Sequence, residues 1–254
     1  MSGPRAIVVR AAGTNCDRET AHALELAGAR VETVHVGRLA ERPRSLEEYG
    51  ILVLPGGFSY GDDVASGRIL ALELERRLGD ALLRFVDDGR IVLGICNGFQ
   101  VLVRMGLLPG KAGRATLTDN DSGRFECRWV TLRAGPGASI FCPPGTLLEM
   151  PVAHGEGKFL VESPGVLAKM EAGSQVAFVY EGDGYPANPN GSVAGIAGVA
   201  DPTGRVLGLM PHPERFVHPW QHPTWTRHRG DSKDRAHGRV VFEGAVQFAR
   251  EVSV

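Results

Sequence analysis

Short apolar runs that alternate with helical patterns are the feature that most constrains the fold of this chain. Ile51–Leu54 and Ile91–Ile95 carry no polar side chain, and each ends in a glycine-containing turn. Between them, Ser66–Asp88 has apolar residues at helical spacing. Strands that are apolar on both faces are typical of a parallel sheet covered by helices on both sides. The sequence therefore predicts an α/β fold built on a mostly parallel central sheet with helices on both faces.

Antiparallel strands are expected to follow this first part. Apolar residues at helical spacing predict helices over Asp17–Ala27 and Val241–Val252. After residue 115, strand patterns are separated by Gly, Asp, Asn and Pro, and Asp201–Gly204 has the composition of a hairpin turn. We therefore expect an antiparallel extension of the parallel sheet.

The composition is that of one globular domain. A chain of 254 residues, 43% of them hydrophobic, lies near the upper size of a single core, about 250–300 residues. No linker interrupts it, so one domain over residues 1–254 is expected. With 28 basic and 29 acidic residues, the chain lacks the basic excess of nucleic-acid-binding proteins. The basic cluster Arg227–Arg239 is interrupted by Asp231 and Asp234, which favours a solvated loop.

The sequence gives no sign of a membrane or of secretion. Its longest apolar runs fall far short of the ~20 residues of a membrane span, and the apolar stretch near the N-terminus is too short for a secretory signal. The four cysteines have no C-x-x-C spacing. A reduced, cytoplasmic protein is the expectation.

A cysteine stands at the corner between an apolar run and a helical pattern, in Gly94-Ile95-Cys96-Asn97-Gly98. Glycine, x, nucleophile, x, glycine between a strand and a helix is the nucleophile-elbow pattern, in which a strained turn exposes the nucleophile. The helix that follows offers free N–H groups, which favour a thiolate and can face an oxyanion. We therefore predict a nucleophilic Cys96. The other thiols, Cys16, Cys127 and Cys142, lack such a setting, and we interpret them as structural.

His212 is the best candidate for the base that a cysteine nucleophile needs. It follows a buried strand and precedes a proline, which favours an extended residue before it. Residues two apart in an extended chain share a face, so Glu214 is placed to orient the imidazole. His154 and Glu156 have the same spacing within a glycine-rich loop. Neither pair has a further Cys or His at zinc-site spacing, so no metal is expected.

These residues resemble the catalytic motifs of class I glutamine amidotransferases. Gly94–Gln100 and His212-Pro213-Glu214 are similar to their triad motifs, and Pro55–Asp62 is similar to their oxyanion loop. The resemblance implies a flavodoxin-like fold and a Cys96–His212–Glu214 triad that acts on glutamine. It also implies an oxyanion hole and a substrate site. The implied residues are Gly57 and Asn97 for the oxyanion and Gly56, Phe58 and Gln100 for glutamine.

Three further stretches narrow the resemblance to the glutaminase subunits of phosphoribosylformylglycinamidine synthase: Gly13–Asp17, Ser122–Trp129 and His154–Gly157. The resemblance covers about residues 5–216. It implies a chain that hydrolyses glutamine and passes ammonia to a synthetase subunit. That subunit uses ATP and Mg to convert formylglycinamide ribonucleotide to formylglycinamidine ribonucleotide in purine synthesis. No cofactor is implied on this chain, and a small bridging subunit is typical where the synthetase is a shorter chain.

The sequence departs from the family pattern at two places. Asp63 stands where an aromatic residue is usual, and the chain after Arg215 is long and rich in His, Trp and Arg. The segment from about residue 216 is therefore expected to be atypical.

Three alternatives stay open at this point. A different amidotransferase of the class would share the triad but lack the Arg124–Trp129 and His154–Gly157 stretches. A cysteine hydrolase or peptidase of similar fold often has histidine beside its nucleophile, where this chain has Asn97. A non-enzymatic scaffold that docks on a synthetase would not need a complete triad.

Overall fold

The chain forms a curved mixed sheet within residues 3–227 and 236–252, which are the residues that the computed structural model describes. The strands are β1 (Arg5–Arg10), β2 (Arg30–His35), β3 (Ile51–Leu54), β4 (Ile91–Ile95), β5 (Ala115–Thr118), β6 (Glu126–Ala134), β7 (Leu147–His154), β8 (Lys158–Val161), β9 (Val176–Tyr180), β10 (Ile196–Ala200) and β11 (Val206–Leu209). The α-helices are α1 (Asp17–Leu26), α2 (Val36–Glu41), α3 (Arg68–Asp87), α4 (Asn97–Arg104), α5 (Pro164–Ala172) and α6 (Gly238–Val252).

The first half of the main sheet is parallel, as the sequence predicts. The nine strands of this sheet follow the order β2-β1-β3-β4-β11-β10-β9-β6-β7. β1 pairs in parallel with β2 and β3, and β4 pairs in parallel with β3 and β11. Every residue of β3 and β4 is buried, and two helix pairs, α3 with α4 and α1 with α6, pack over this half. The carboxyl ends of β1, β3, β4 and β11 therefore meet at one edge of the sheet, where α/β proteins place their sites.

The second half is the antiparallel extension. β10 pairs with β11 across the predicted hairpin turn, and β9, β6 and β7 continue the sheet in antiparallel fashion. β5 and β8 form a separate antiparallel pair. The predicted combination of a parallel core and an antiparallel extension is confirmed.

The outer edge of β7 lies against the carboxyl ends of the parallel strands. The N–H of His212, three residues after β11, donates to the carbonyl oxygen of Pro151 at 2.8 Å. The carbonyl oxygen of Ala153 lies 3.7 Å from the Sγ of Cys96, directly after β4. The sheet therefore curves so that its last strand closes one side of the site.

Several local expectations need correction. No pattern predicted β7, β8 or α5, and His154 is the final residue of β7 rather than part of a loop. Helix α6 begins at Gly238, three residues before the predicted start. Leu72, one of the apolar positions of the long helix, is 46% exposed, because the buried face of α3 runs through Leu70, Leu74 and their neighbours.

The structure bears on two expectations, one for a membrane span and one for the basic cluster. Among residues 3–227 and 236–252, no helix is both long enough and apolar enough to cross a bilayer. The basic cluster Arg227–Arg239 lies largely outside the described residues, and Asp231 and Asp234 are among those not described.

Candidate active site

Cys96 occupies a strained corner between β4 and α4. Its backbone has φ 50° and ψ −104°, which an L-residue adopts only at a cost of roughly 1–3 kcal/mol. Hydrogen bonds hold the corner on both sides: the Cys96 N–H donates to the carbonyl oxygen of Leu209, and its carbonyl oxygen accepts from the N–H of Gln100. The thiol is 6% exposed. This is the geometry that the sequence predicts for a nucleophile elbow.

The glycines beside Cys96 are required by close packing. A Cβ atom on Gly98 would overlap the carbonyl oxygen of Leu54, at the end of β3. A Cβ atom on Gly94 would lie 2.7 Å from the carbonyl oxygen of Gly98 and 2.6 Å from the side chain of Leu102. Helix α4 can therefore begin directly against β3 and β4 only because both positions lack a side chain.

His212 and Glu214 form a buried pair beside this corner. The Nδ1 of His212 lies 2.6 Å from the Oε1 of Glu214, and the two residues are 1% and 0% exposed. The predicted contact is present, but Pro213–Arg215 forms a 3₁₀ turn rather than an extended segment. The turn after Pro213 brings the carboxylate back under the ring.

The pair is electrostatically coupled to Cys96. Burial disfavours a charged imidazole, but the Glu214 carboxylate and then the Cys96 sulfur outweigh it, so the pKa of His212 lies well above its usual value. Because Nδ1 faces Glu214, Nε2 is the ring nitrogen left for Cys96, and it has no hydrogen-bond partner among the described residues. The arrangement favours an imidazolium beside the sulfur of Cys96.

A second thiol, which the sequence analysis interpreted as structural, also lies against His212. The sulfur atoms of Cys16 and Cys96 both help to raise the pKa of the imidazole of His212. Cys16 is 0% exposed, and its Sγ accepts a hydrogen bond of 3.1 Å from the Nη2 of Arg215. Cys16 caps α1 with an unstrained φ of −102°. Its lack of exposure leaves no access for a substrate, so Cys96 remains the better nucleophile.

Asn97 ties the loop after β3 to the first turn of α4. Its Oδ1 accepts from the hydroxyl of Ser59 at 2.6 Å and from the Ser59 N–H at 3.3 Å. Its Nδ2 donates to Asp62 and to the side-chain oxygen of Gln100, both at 3.1 Å. Burial raises the pKa of Asp62, while hydrogen bonds from Gly67, Ser66 and Asn97 oppose the shift. The side chain of Asn97 is fully used inside the protein, and an oxyanion contact from its backbone N–H stays a prediction.

The loop after β3, which is the predicted oxyanion loop, requires glycine at two positions. Gly57 has φ 144°, and a Cβ atom there would lie 2.8 Å from the backbone nitrogen of Asn15. Gly56 packs on the triad, since a Cβ atom there would lie 2.8 Å from the Cε1 of His212. Phe58 is 45% exposed, with its ring centroid 6.3 Å from that of Phe125. Asp63, the departure from the family pattern, is exposed, and the loop keeps its bonds to Asn97 without an aromatic residue there.

Gln100 is buried rather than directed to solvent. It is 4% exposed, its side-chain oxygen accepts from Asn97, and its Nε2 donates to the carbonyl oxygen of Glu156 at 2.6 Å. Its amide therefore links α4 to the His154–Gly157 stretch. A direct contact with glutamine stays a prediction for Gln100, as it does for Gly56 and Phe58.

His154 and Asn120 hold the His154–Gly157 stretch in place through hydrogen bonds. Asn120 donates from Nδ2 to the carbonyl oxygens of Arg124 and His154, which directs its Oδ1 toward the Nδ1 of His154 at 3.1 Å. The ring of His154 is 3% exposed. Burial, and then the positive charge of His212, lower the pKa of His154 to about 4. This histidine is therefore a neutral structural partner of the site.

Part of the atypical C-terminal segment packs beside the site. The ring of Trp129, in β6, lies edge-on to those of Phe216 and His222 at centroid distances of 5.0 and 4.4 Å. Trp220 stacks on His218 at 4.4 Å and is 62% exposed. The segment is thus joined to the Ser122–Trp129 stretch, a connection with no signal in the sequence.

The chain has a strained cysteine at a strand-to-helix corner, and a buried His–Glu pair lies beside it on a mostly parallel sheet. This combination is that of an enzyme of the glutamine amidotransferase class. Comparison with protein families agrees with this. Residues 3–249 match the family described as the CobB/CobQ-like glutamine amidotransferase domain, and the chain belongs to that family.

Individual proteins of known name are also similar to this chain. The chain is 47% identical over 261 residues to the phosphoribosylformylglycinamidine synthase subunit PurQ of Dehalococcoides mccartyi, covering 99% of this chain and 100% of that protein. It is 45% identical to the PurQ subunit of Treponema denticola, over 84% and 88% of the two chains. Among solved structures, it resembles a chain in the structure of PurLQS from Thermotoga maritima, with a TM-score of 0.73, 34% identity and coverage of 97% and 99%.

Proposed function

We propose that this chain is the glutaminase subunit of a phosphoribosylformylglycinamidine synthase. The observation that carries the proposal is the position of Cys96, on a strained corner beside the His212–Glu214 pair, in a chain that matches the PurQ subunit of Dehalococcoides mccartyi over its full length. The subunit hydrolyses glutamine to glutamate and ammonia. The ammonia is then used to form formylglycinamidine ribonucleotide.

The residues of the site divide the steps of this mechanism among them. The Cys96 thiolate attacks the side-chain amide carbon of glutamine, and the C–N bond breaks as His212 gives a proton to the leaving ammonia. A water molecule, losing a proton to His212, then cleaves the γ-glutamyl thioester to glutamate and restores Cys96. Glu214 orients His212 throughout. The N–H groups of Gly57 and Asn97 hold the oxyanion, and one such donor is worth roughly 10²–10³ in rate.

The ammonia requires a partner. Free ammonia becomes ammonium in water and loses its nucleophilicity, so its use demands a second active site in contact with this one. The PurLQS structure from Thermotoga maritima supports a complex with a synthetase subunit and a small third subunit. We infer that ATP and Mg bind to the synthetase subunit, and that the complex works in the cytoplasm, where free thiols such as the four of this chain persist.

Reconstitution tests the proposal. The purified chain is mixed with the synthetase and small subunits of the same organism, and glutamate and formylglycinamidine ribonucleotide are measured with glutamine, ATP, Mg and formylglycinamide ribonucleotide present. The proposal predicts that both products form in equal amounts and that neither forms when this chain is left out. Glutamate formation without the ribonucleotide product, in a complex shown to assemble, would assign the chain to another amidotransferase.

A further inference from the structure

Three chemically different ligand atoms meet on the buried side of the triad. The Sγ of Cys16, a ring nitrogen of His212 and a carboxylate oxygen of Glu214 all lie within 4.8 Å of one another. All three residues are at most 1% exposed. Thiolate, imidazole and carboxylate are the donors that protein zinc sites use, and three protein ligands with one open position are common in such sites.

The available lone pairs agree with a cation site. The Oε2 of Glu214 is buried without a hydrogen-bond partner in the described structure, so a carboxylate acceptor in the pocket remains unsatisfied. A Cβ atom on Gly56 would lie 3.2 Å from the Sγ of Cys16, 2.8 Å from the Cε1 and 3.3 Å from the Nδ1 of His212. Nδ1 is the ring nitrogen that lies against Glu214, and Arg215 contacts both the Sγ of Cys16 and the Oε1 of Glu214.

We propose that Cys16, the Nδ1 of His212 and Glu214 bind Zn²⁺, and that this metal switches the glutaminase off. The inhibitory effect rests on the proposed function, whereas the binding itself does not. Cys96 is outside the ligand set, because it is left with the opposite nitrogen, Nε2. The site therefore differs from the Cys96–His212 contact that any such triad offers to a metal.

The tautomer of His212 explains the inhibition. In the catalytic arrangement, Nδ1 carries a proton that Glu214 holds, and Nε2 exchanges a proton with Cys96 and with the substrate. Zn²⁺ on Nδ1 displaces that proton to solvent, as it displaces the proton of the Cys16 thiol. Nε2 then keeps its proton as a neutral imidazole, so the ring can no longer accept one. Glu214 is simultaneously drawn from its orienting role to the metal.

Arg215 occupies the position that the cation would compete for. Its Nη2 lies 3.1 Å from the Sγ of Cys16, and its Nε lies 3.9 Å from the Oε1 of Glu214. Its side chain is 36% exposed, so the guanidinium can turn toward solvent when Zn²⁺ enters. The metal replaces one positive charge by two at the same anionic ligands. Arg215 thus keeps the site closed to cations that bind thiolate weakly, such as Mg²⁺.

Metal binding by the full chain tests the ligand assignment without any turnover. Zn²⁺ alone is titrated into the wild type, Cys96→Ala, Cys16→Ser and Glu214→Gln, with Cys127→Ser as the control for an exposed thiol, and Cd²⁺ absorption reports thiolate ligation. One ion is expected to bind to the wild type, Cys96→Ala and Cys127→Ser with similar affinity. Cys16→Ser and Glu214→Gln should each weaken binding by more than about 100-fold, since removing only an outer partner of a metal ligand costs about 10–100-fold.

The other outcomes overturn the proposal. Binding that survives Cys16→Ser, or that is lost in Cys96→Ala, would place the metal elsewhere, and no binding to the wild type would remove the site. Circular dichroism checks the fold of each variant, and Glu214→Gln gives an independent test if Cys16→Ser does not fold. In the reconstituted complex, Zn²⁺ should abolish glutamine-dependent but not ammonia-dependent synthesis. Binding without that selective loss would defeat the switch while leaving the glutaminase assignment intact.

Discussion

The hydroxyl of Ser59 donates a 2.6 Å hydrogen bond to the Oδ1 of Asn97, and so joins the loop after β3 to the residue that follows Cys96. Asn97 also holds Asp62 and Gln100. A shift of the loop is therefore transmitted to the first turn of α4. The glycine pair Gly56-Gly57 precedes Phe58 and Ser59 in this loop, and Gly57 adopts φ 144°, which favours glycine.

Because the loop and α4 are connected, we expect that docking of the synthetase subunit changes the rate of glutamine hydrolysis. We expect the isolated chain to release glutamate slowly and the complex to do so roughly 5–150-fold faster, the range of typical coupling free energies. A flip of the peptide at Gly57 would aim its N–H away from the oxyanion in the free chain, and docking would favour the active arrangement. Steady-state glutamate production with and without the synthetase measures the effect.

Ser59→Ala should reduce this activation, because it releases the loop from Asn97, whereas the exposed Ser139→Ala serves as a matched control. A free chain that is already as fast as the complex would rule out control by docking. It would favour a stand-alone glutamine hydrolase.

His212 and Glu214 are predicted to differ in severity when replaced. His212 moves protons, and such a group contributes about 10²–10⁴ in rate, so His212→Ala should remove most turnover. Glu214→Gln keeps the shape of the orienting group, and it should retain roughly 10–100 times the residual rate of His212→Ala. Single-turnover glutamate release by folded variants measures both. Equal losses would mean that Glu214 does more than orient the ring.

Any side chain at Gly98 is predicted to destabilise the fold at the corner between β4 and α4. A methyl group there overlaps the carbonyl oxygen of Leu54, so Gly98→Ala should lower the free energy of unfolding by at least ~3 kcal/mol, the upper range for overpacking. Gly79→Ala is the matched control, since nothing lies within 4 Å of its added Cβ in the middle of α3. It should stabilise the chain by about 1 kcal/mol. Urea unfolding compares the two, and a mild effect of Gly98→Ala would contradict the packing described here.

Those parts of the fold and site that carry local signals could be predicted from the sequence. β3 and β4 begin and end at the predicted residues, because unbroken apolar runs between glycine-rich turns have few alternative structures. The sharp corner at Cys96 was predictable for the same reason, since Gly94 and Gly98 mark the close packing of α4 against β3 and β4. His212 and Glu214 were paired correctly, although the turn that joins them is 3₁₀ and not extended.

Contacts between distant segments could not be predicted. The place of Cys16 beside His212 depends on the loop after β1 meeting the turn after β11, and neither stretch carries a signal for the other. The return of β7 to the site depends on the curvature of nine strands. Helix α5 was missed because its apolar residues do not concentrate on one face, so helical periodicity is weak there.

His154 predicts a specific loss of stability in acid. Its pKa is about 4 in the folded chain, because of burial and then of His212, against about 6.5 when unfolded. Between these values the unfolded chain binds a proton that the folded chain does not, so stability falls as pH drops through that window. The loss amounts to roughly 3 kcal/mol at most.

Urea unfolding at pH 7.5, 6 and 5 measures this loss. His154→Gln should flatten the pH dependence. Asn120→Asp should flatten it as well, because a carboxylate beside Nδ1 favours the charged ring and raises its pKa. An unchanged pH dependence in both variants would show that His154 does not stay neutral in the folded chain.

Replacement of Cys96 separates the two halves of the proposed reaction. Cys96 only produces ammonia, and ammonia supplied in solution bypasses it. The complex that contains Cys96→Ala should therefore make no formylglycinamidine ribonucleotide from glutamine, while it should make the product from ammonium salts as fast as the wild-type complex does. Cys127→Ala, which changes an exposed thiol, is the matched control and should keep both activities.

The ratio of ammonia-dependent to glutamine-dependent synthesis by the Cys96→Ala complex is thus the most direct test of the account. We expect full ammonia-dependent synthesis with no measurable glutamine-dependent synthesis, in a complex that size-exclusion chromatography shows to be assembled. Glutamine-dependent synthesis that survives in Cys96→Ala would contradict the assignment of the nucleophile. Loss of both activities in the assembled complex would contradict the division of labour between the subunits.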